Sequence, residues 1–314
     1  MDHSHPEPAS PPDPSLSPSC LVPWALSQPS PVLRLLTSSS QNLLLLDYDG
    51  TLSPHVLDAS KATLAPSMRA ALERLVAATD AAGGHVAIIT GRSTATISRF
   101  LGPLATKVTI AASHGFEISG SRVSLQTAVE YLPDLALARD ALSARLAPIP
   151  GATVEDNGWS VTAHFRACSE TDRAAVERAV AEVVSAAGPR IVARGGASVL
   201  EIRPNPSTPW NKGTAALALL RELGLEDAAA AVLCVGDDLT DEDMFRALLN
   251  RPQGPRAVTI HVAPSSSQLS ADGACIVASR PTAAAYALRG VGEVLTLLQT
   301  LAEATEERVA SRSS

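Results

Sequence analysis

The chain has 314 residues, a formal net charge of −7 and no long run of Lys or Arg, which argues against a general binder of nucleic acid or anionic membranes. Its four cysteines are isolated and form no CxxC pair, so we expect neither a zinc knuckle nor a disulfide framework, and a cytoplasmic location. No apolar run approaches the roughly 20 residues of a bilayer span, and no secretory signal is evident at the N-terminus. The length predicts two domains, or one domain with an insertion.

The first predicted element is a tail. Residues 1–31 are rich in Pro and Ser and have no apolar periodicity, so we expect them to be disordered. Ordered structure is expected to begin near Val32.

Short apolar segments then alternate with helical ones. The predicted elements are a strand at 42–46, a helix at 67–81, a strand at 85–90, a helix at 94–101 and a strand at 107–112. Strands joined through helices in this way form a doubly wound parallel sheet, so the predicted fold class is α/β.

The pattern changes after Glu117 and later returns. Strands at 153–154 and 161–165, a helix at 172–186 and two strands within 190–202 predict an α+β insertion. The parallel pattern resumes with a helix at 212–223, a strand at 231–236, a helix at 241–249, strands near Val258 and Ile276, and a final helix at 282–302. We therefore expect a core formed by residues 32–117 and 208–314, with residues 118–207 inserted.

Three polar motifs fall at the carboxyl ends of predicted strands, where open parallel sheets bind ligands. They are Asp47-Tyr48-Asp49-Gly50-Thr51, Thr90-Gly91-Arg92 and Gly236-Asp237-Asp238. Alone, the first could be a turn, and the acids of residues 237–243 could serve only to stabilise a helix N-terminus. Their ordered combination favours a phosphoryl-transfer site.

Asp47 is the candidate nucleophile. A carboxylate can attack phosphorus when a metal neutralises the phosphoryl oxygens, and Mg²⁺ fits because it prefers hard oxygen ligands. We expect Asp47, the backbone carbonyl of Asp49, and Asp237 to hold the ion with waters. Asp238 or Asp241 could add an outer contact.

Three further residues complete the predicted chemistry. Asp49 would protonate the leaving oxygen and later accept a proton from the attacking water. Thr90 would hydrogen-bond a phosphoryl oxygen, while Gly50 and Gly91 allow the phosphate to approach the backbone. Lys212 lies in the first turn of its predicted helix, where a cation is unfavourable unless an anion is near, so it is assigned to the phosphoryl group and Asp47.

At these residues the chain resembles the haloacid dehalogenase-like phosphatases. Their four motifs match, in order, Asp47 with Asp49, Thr90, Lys212, and Asp237 with Asp238 and Asp241. Within that superfamily, residues 114–117, 200–204, 212–213 and 236–245 look like those of trehalose-6-phosphate phosphatases, and the resemblance covers about residues 43–298.

This resemblance implies a Rossmann-like core with a mobile α+β cap at about residues 118–207, and Mg²⁺-dependent hydrolysis of trehalose 6-phosphate. The implied substrate-binding residues are Gly91, Arg92, His114, Glu117, Glu155, Arg166 and Glu201. From the residues alone, Glu155 could be an edge-strand charge, Arg166 a surface ion pair, and His114 a turn residue.

Two positions depart from the family pattern. Asn157 and Ala197 stand where relatives commonly carry lysine; Arg194 or Arg203 could compensate, or the substrate could be another sugar phosphate, such as glucosylglycerol phosphate or sucrose phosphate. A catalytically weak, sugar-sensing regulatory protein and a sugar-phosphate mutase are the other functions considered. A trehalose-phosphate synthase partner cannot be read from the sequence.

Overall fold

The structure is a computed structural model that describes residues 21–27, 30–39, 41–56, 58–196, 198–227, 229–251, 254 and 256–313. The first half contains β1 (Leu21–Pro23), α1 (Pro31–Thr37), β2 (Gln41–Leu46), α2 (Pro66–Ala81), β3 (His85–Ile89), α3 (Thr94–Leu101), β4 (Thr109–Ala112), β5 (Glu117–Ser119), β6 (Ser124–Gln126) and α4 (Leu132–Leu146). There follow β7 (Thr153–Asp156), β8 (Val161–His164), α5 (Glu170–Ala187), β9 (Ile191–Gly196), β10 (Val199–Pro204), α6 (Lys212–Glu222), β11 (Ala230–Gly236), α7 (Asp241–Leu249), β12 (Arg256–Ala263), β13 (Cys275–Val277), β14 (Tyr286–Arg289) and α8 (Gly290–Ser313).

The main sheet has eight strands in the order β14-β12-β11-β2-β3-β4-β5-β6. The six strands from β14 to β4 are parallel, and two hydrophobic clusters of buried side chains pack around them. The prediction of a doubly wound parallel sheet is confirmed. Its strand order reverses between β2 and β11, and the carboxyl ends of these neighbours form the crevice in which such sheets bind ligands.

The insertion begins later in the chain than predicted, because the hairpin of β5 and β6 belongs to the main sheet. β5 pairs antiparallel with β4, and β6 pairs antiparallel with β5, so they extend the main sheet. Ile118 and Val123 are buried in the hydrophobic cluster of that sheet, which explains why the hairpin stays with it. The predicted start of the insertion at residue 118 is therefore wrong, and the insertion begins after Gln126.

The insertion is a separate α+β unit, here called the cap. Its antiparallel sheet has the order β7-β8-β10-β9, and it shares a hydrophobic core with helices α4 and α5. That core includes Leu142, Val161, Val176 and Ile202, which are at most 1% exposed. Helix α4 is absent from the sequence-based prediction, although Pro133 and Asp134 lie at its N-terminus, where both residue types are favourable.

The predicted disordered tail is wrong for its last part. Strand β1 pairs antiparallel with β13, and Ala25 is fully buried. The Trp24 indole donates from Nε1 to Glu293 Oε2 at 3.0 Å, which ties this segment to α8. The apolar run at residues 21–26 supplies these contacts despite the surrounding Pro and Ser. Residues 1–20 lie outside the described residues.

The C-terminal region also differs from the prediction. The strand near Ile276 pairs with β1 in a separate two-stranded sheet, and β14 forms the edge of the main sheet where a helix was expected. Ala287 and Leu288 of β14 are fully buried, so both faces of this strand are covered. Helix α8 begins only at Gly290, whose φ is +65°. Within the described ranges, no helix is long and apolar enough to cross a bilayer.

Candidate active site

The predicted strand-end motifs meet at one cleft. The Asp47 amide donates to the carbonyl of Val235 at 2.9 Å, so the register of β2 and β11 brings Asp47 beside the Gly236-Asp237 turn. The cleft, of about 340 Å³, lies between the main sheet and the cap. This central cleft is lined by Asp47, Asp49, His55, Ala59, Thr90, Gly91, Arg92, Ser93, Thr96, His114, Glu155, Asn157, Thr162, His164, Val199, Glu201, Lys212 and Asp238.

Lys212 lies at the bottom of the cleft and is 2% exposed. Its ammonium donates to Asp47 Oδ1 at 2.7 Å and to Asp241 Oδ1 at 2.9 Å. Helix α6 starts at Lys212 because Asn211 and Thr214 form a capping box. Burial lowers the pKa of Lys212, but the two carboxylates outweigh burial and hold it well above its usual value. Lys212 is therefore a fixed positive charge.

Three carboxylates surround this charge. Oxygens of Asp47, Asp237 and Asp241 lie within 4.8 Å of one another. When all are ionised, three carboxylates and one ammonium leave two net negative charges. Burial is the main cause that raises the pKa values of all three carboxylates, with Asp241 raised to about 6; the charges of Asp241 and Asp237 add to the rise for Asp47, and that of Asp238 adds to it for Asp237 and Asp241. A divalent cation would neutralise the excess, so the residues present fit Mg²⁺.

Asp237 supports this fit through an unused oxygen. Its Oδ1 is buried without a hydrogen-bond partner among the described residues, whereas Oδ2 accepts from His55 at 2.8 Å. Buried carboxylate oxygens normally have partners, and a hard cation would supply one. Gly50 leaves room for this arrangement, because a Cβ there would lie 2.2 Å from Asp237 Oδ2.

Asp49 and Asp238 were also predicted to help bind the metal, but their side chains contact other groups. Both oxygens of Asp49 accept from Arg92, at 2.6 Å each. Asp238 Oδ1 accepts from the amides of Thr240 and Asp241, at 2.7 and 3.1 Å, at the start of α7. Their side chains lie outside the three-carboxylate group, because each already has other partners. The predicted backbone-carbonyl ligand of Asp49 stays a prediction.

Asp241 is held from three directions. Beside its bond to Lys212, its Oδ2 accepts from the amides of Asp237 and Asp238 at 2.9 and 3.0 Å. It is fully buried, and a Cβ on Gly236 would overlap it. Asp241 therefore fixes the loop that carries Asp237.

Thr90, Gly91 and His114 form one wall of the cleft. Thr90 is fully buried, and its Oγ1 accepts from the Arg92 amide at 3.2 Å. A Cβ on Gly91 would lie 2.9 Å from the His114 ring, which explains the glycine. His114 adopts φ +57°, and burial lowers its pKa to about 3, so it is neutral near pH 7. It both shapes a turn and lines the cleft, 3.9 Å from Glu201.

The cap contributes one polar row to the opposite wall. Thr162 of β8 lies between Glu155 of β7 and Glu201 of β10, opposite both in register. His164 Nε2 lies 2.8 Å from Glu155 Oε2, and this hydrogen bond lowers the pKa of Glu155. The carboxyl oxygens of the two glutamates are hydrogen-bond acceptors on strands about two strand spacings apart, roughly 10 Å, with the Thr162 hydroxyl between them.

Two predicted substrate residues lie outside the central cleft. Glu117 lines a neighbouring cavity and accepts from the Thr94 hydroxyl. Arg166 follows the end of β8 and lines another neighbouring cavity with Glu155 and His164. Neither lines the wall that faces Asp47.

Of the two positions that depart from the family pattern, Asn157 and Ala197, the structure describes the first. Asn157 lines the cleft and donates to Thr162 Oγ1 at 3.4 Å. Ala197 lies outside the described residues. Neither Arg194 nor Arg203 is among the described residues that line the central cleft, so neither supplies a cation there. The cap wall carries carboxylates, hydroxyl, amide and imidazole groups.

Sequence reasoning missed His55, Thr162 and His164. Thr162 and His164 alternate along the predicted strand at 161–165, and this period of two could have placed both on one face of that strand. His55 gave no such signal, because its partner Asp237 is 182 residues away.

Comparisons with known proteins agree with this geometry. A family model described as Trehalose-phosphatase matches residues 45–291. "Probable trehalose-phosphate phosphatase C" of Arabidopsis thaliana is 36% identical over 74% of this chain and 73% of its own. "Trehalose 6-phosphate phosphatase RA3" of Zea mays is 34% identical over 89% of this chain and 74% of its own.

A solved structure is similar over most of the fold. The C-terminal domain of trehalose-6-phosphate phosphatase from C. albicans superposes with a TM-score of 0.67 at 25% identity, covering 90% of this chain and 99% of that chain. The sequence match and the fold point to one family, whose model spans both the strand-end motifs and the cap. This chain belongs to the trehalose-phosphatase family.

Proposed function

We propose that the chain hydrolyses trehalose 6-phosphate to trehalose and inorganic phosphate, with Asp47 as the nucleophile. The observation that carries the proposal is the buried pair of Lys212 and Asp47, in a cleft whose other wall presents Glu155 and Glu201. One side of the cleft suits a phosphoryl group, and the other suits sugar hydroxyls.

In the first step, a carboxylate oxygen of Asp47 attacks phosphorus. A P–O bond forms to Asp47 while the bond between phosphorus and the sugar oxygen breaks, and Asp49 gives its proton to that oxygen. Lys212 favours the ionised form of Asp47 against the effect of burial and holds it in place, and Thr90 donates to a phosphoryl oxygen.

In the second step, water cleaves the acyl phosphate. Asp49, now a carboxylate, takes a proton from the water as its oxygen bonds to phosphorus, and the bond to Asp47 breaks. Asp47 regains its carboxylate and phosphate leaves. One residue serves both steps because it lies two positions from the nucleophile on the same turn.

Mg²⁺ fits the group of Asp47, Asp237 and Asp241, and Asp47 and Asp237 would be its direct side-chain ligands. When bound, the ion neutralises the phosphoryl oxygens and so lowers the repulsion met by an anionic nucleophile. Asp241 is the outer residue, since both of its oxygens already accept hydrogen bonds.

The cap wall supports a neutral sugar at the far end of the substrate. Carboxylates accept hydrogen bonds from hydroxyl groups, whereas a second anionic group would meet repulsion from Glu155 and Glu201. Their spacing suits hydroxyls on both sides of one ring. Asn157 offers a neutral amide here, so a phosphatase for another sugar phosphate is the second candidate function.

A panel of sugar phosphates tests this proposal, with phosphate release as the measurement. We expect the highest kcat/KM for trehalose 6-phosphate, and no release by Asp47→Asn. Preference for sucrose phosphate or glucosylglycerol phosphate would replace the substrate and keep the phosphatase. Ligand binding without release would favour a regulatory protein, and an isomeric sugar phosphate as product would favour a mutase.

A cytoplasmic location is proposed as well. Cys168, Cys234 and Cys275 carry free thiols, as proteins of reducing compartments commonly do. Co-purification would test for contact with a trehalose-phosphate synthase, and neither nucleic acid nor membrane is proposed as a partner.

A further inference from the structure

His55 lies at the junction of two cavities beside the carboxylate cluster. It lines both the central cleft and a second cavity of about 400 Å³, which Asp237, His261 and Arg280 also line. The side chain of His55 is 69% exposed, yet its Nε2 lies 2.8 Å from Asp237 Oδ2. This contact engages a carboxylate of the proposed Mg²⁺ site from outside the cluster.

The two carboxylate oxygens of Asp237 therefore have different surroundings. Oδ2 faces His55, while Oδ1 is buried and has no hydrogen-bond partner among the described residues. Gly50 leaves room for this contact, because a Cβ there would lie 2.2 Å from Oδ2 and 2.6 Å from His55 Nε2. Asp237 therefore has one oxygen fixed by imidazole and one left for another ligand.

The backbone of Asp237 is fixed independently. Its amide donates to Asp241 Oδ2 at 2.9 Å, and its carbonyl accepts from Arg280 Nη2 at 3.0 Å. Arg280 is itself held by the buried Glu242, at 3.1 Å. These bonds place the main chain but leave rotation of the carboxylate unrestricted, and the contact with His55 restricts it.

We propose that His55 is a positioning residue for the cation: with its proton on Nε2, it donates to Asp237 Oδ2 and directs Oδ1 toward the ion shared with Asp47. The inference rests on the Mg²⁺ site of the proposed function. Hydrogen bonds to ligating carboxylates orient them, and losing such a partner typically costs about 10- to 100-fold in metal affinity.

Calorimetric titration of the full chain with MgCl₂, and separately with MnCl₂, tests this without substrate. The proteins are wild type, His55→Ala, His55→Gln and His164→Ala. Gln keeps an N–H donor at similar reach, and His164 is a matched control because it makes an equally short contact with a carboxylate, Glu155, on the cap. Melting temperatures in chelator check that each variant folds.

We expect His55→Ala to weaken both metals by about tenfold or more, His55→Gln to restore most of the affinity, and His164→Ala to leave it unchanged. Equal affinities for wild type and His55→Ala would overturn the inference and leave the metal site intact. A loss confined to Mn²⁺ would also overturn it, because His55 would then be a direct nitrogen ligand. Wild type that binds neither metal would remove the metal site itself.

Discussion

The guanidinium of Arg92 donates to both carboxylate oxygens of Asp49, from Nε and Nη2, at 2.6 Å each. The remaining nitrogen, Nη1, donates to the carbonyl of Ala59 at 3.0 Å, and the group lies 4.8 Å from the centre of the Phe100 ring. Asp49 thus rests in a two-bond ion pair. It has to leave Arg92 before it can carry a proton to a leaving oxygen.

Arg92→Lys tests whether this pair orients Asp49 for catalysis. A lysine offers a point charge in place of the planar fork, so Asp49 loses one of its two fixed contacts. We expect kcat to fall by about tenfold or more for sugar and aryl phosphates alike, with KM little changed, because misplaced groups cost rate. Steady-state kinetics measures this. An unchanged kcat with a raised KM would instead make Arg92 a substrate ligand, as first predicted.

Asp47→Asn removes the proposed nucleophile while preserving its size. An amide is a poor nucleophile and a weaker metal ligand, so we expect kcat to fall by about 10³-fold or more. Mass spectrometry of wild type quenched during turnover should find the added phosphoryl group on the peptide that contains Asp47. Activity of the variant within about tenfold of wild type would exclude Asp47 as the nucleophile.

Mg²⁺ dependence is expected to vary with pH. Burial raises the pKa values of Asp47 and Asp237, and that of Asp241 to about 6, so the metal-free fold binds protons that the unfolded chain has already lost between about pH 4 and 6. Protons therefore stabilise the metal-free protein in that window and compete with the cation. The gain in Tm on adding Mg²⁺ should be large at pH 7.5 and small at pH 5.

This experiment needs EDTA-treated protein and matched ionic strength at each pH. EDTA should also abolish turnover, and added Mg²⁺ should restore it. A gain in Tm that is the same at both pH values would show that these carboxylates do not bind the ion. Turnover that is indifferent to EDTA would rule out the metal in catalysis.

Glu155→Ala and Glu201→Ala separate recognition from chemistry. Each should reduce kcat/KM for trehalose 6-phosphate by roughly 10²-fold while sparing a small aryl phosphate, because only the sugar contacts the cap wall. Glu177→Ala is a suitable control, since Glu177 is an exposed carboxylate on helix α5. Equal losses on both substrates would mean that these glutamates support folding or the metal site.

Deletion of the N-terminal segment is expected to destabilise the protein. Removing residues 1–30 takes away strand β1, the buried Val22 and Ala25, and the bond from Trp24 to Glu293, so we expect the unfolding free energy to fall by about 2 kcal/mol or more. Removing residues 1–20 deletes none of these contacts and is the control. Chemical denaturation compares the two. Equal stability of both truncations would mean that β1 does not contribute.

The sequence alone located most of the chemical groups. Alternating apolar segments indicated the parallel sheet, and in such a sheet Asp47, Thr90 and Asp237 must lie together because each follows its own strand. The position of Lys212 in a first helical turn already called for a nearby anion, and the structure provides Asp47 and Asp241. These inferences succeeded because periodicity and helix polarity are properties of short stretches of chain.

The tertiary structure decided how those groups are paired. Arg92 engages Asp49, His55 engages Asp237 across 182 residues, and Glu117 turns to Thr94 and away from the cleft. The tertiary structure also pairs β1 with β13 and makes the hairpin of β5 and β6 part of the main sheet. Local patterns cannot specify such contacts. The partner of a side chain is determined only when distant segments pack together and exclude the water between them.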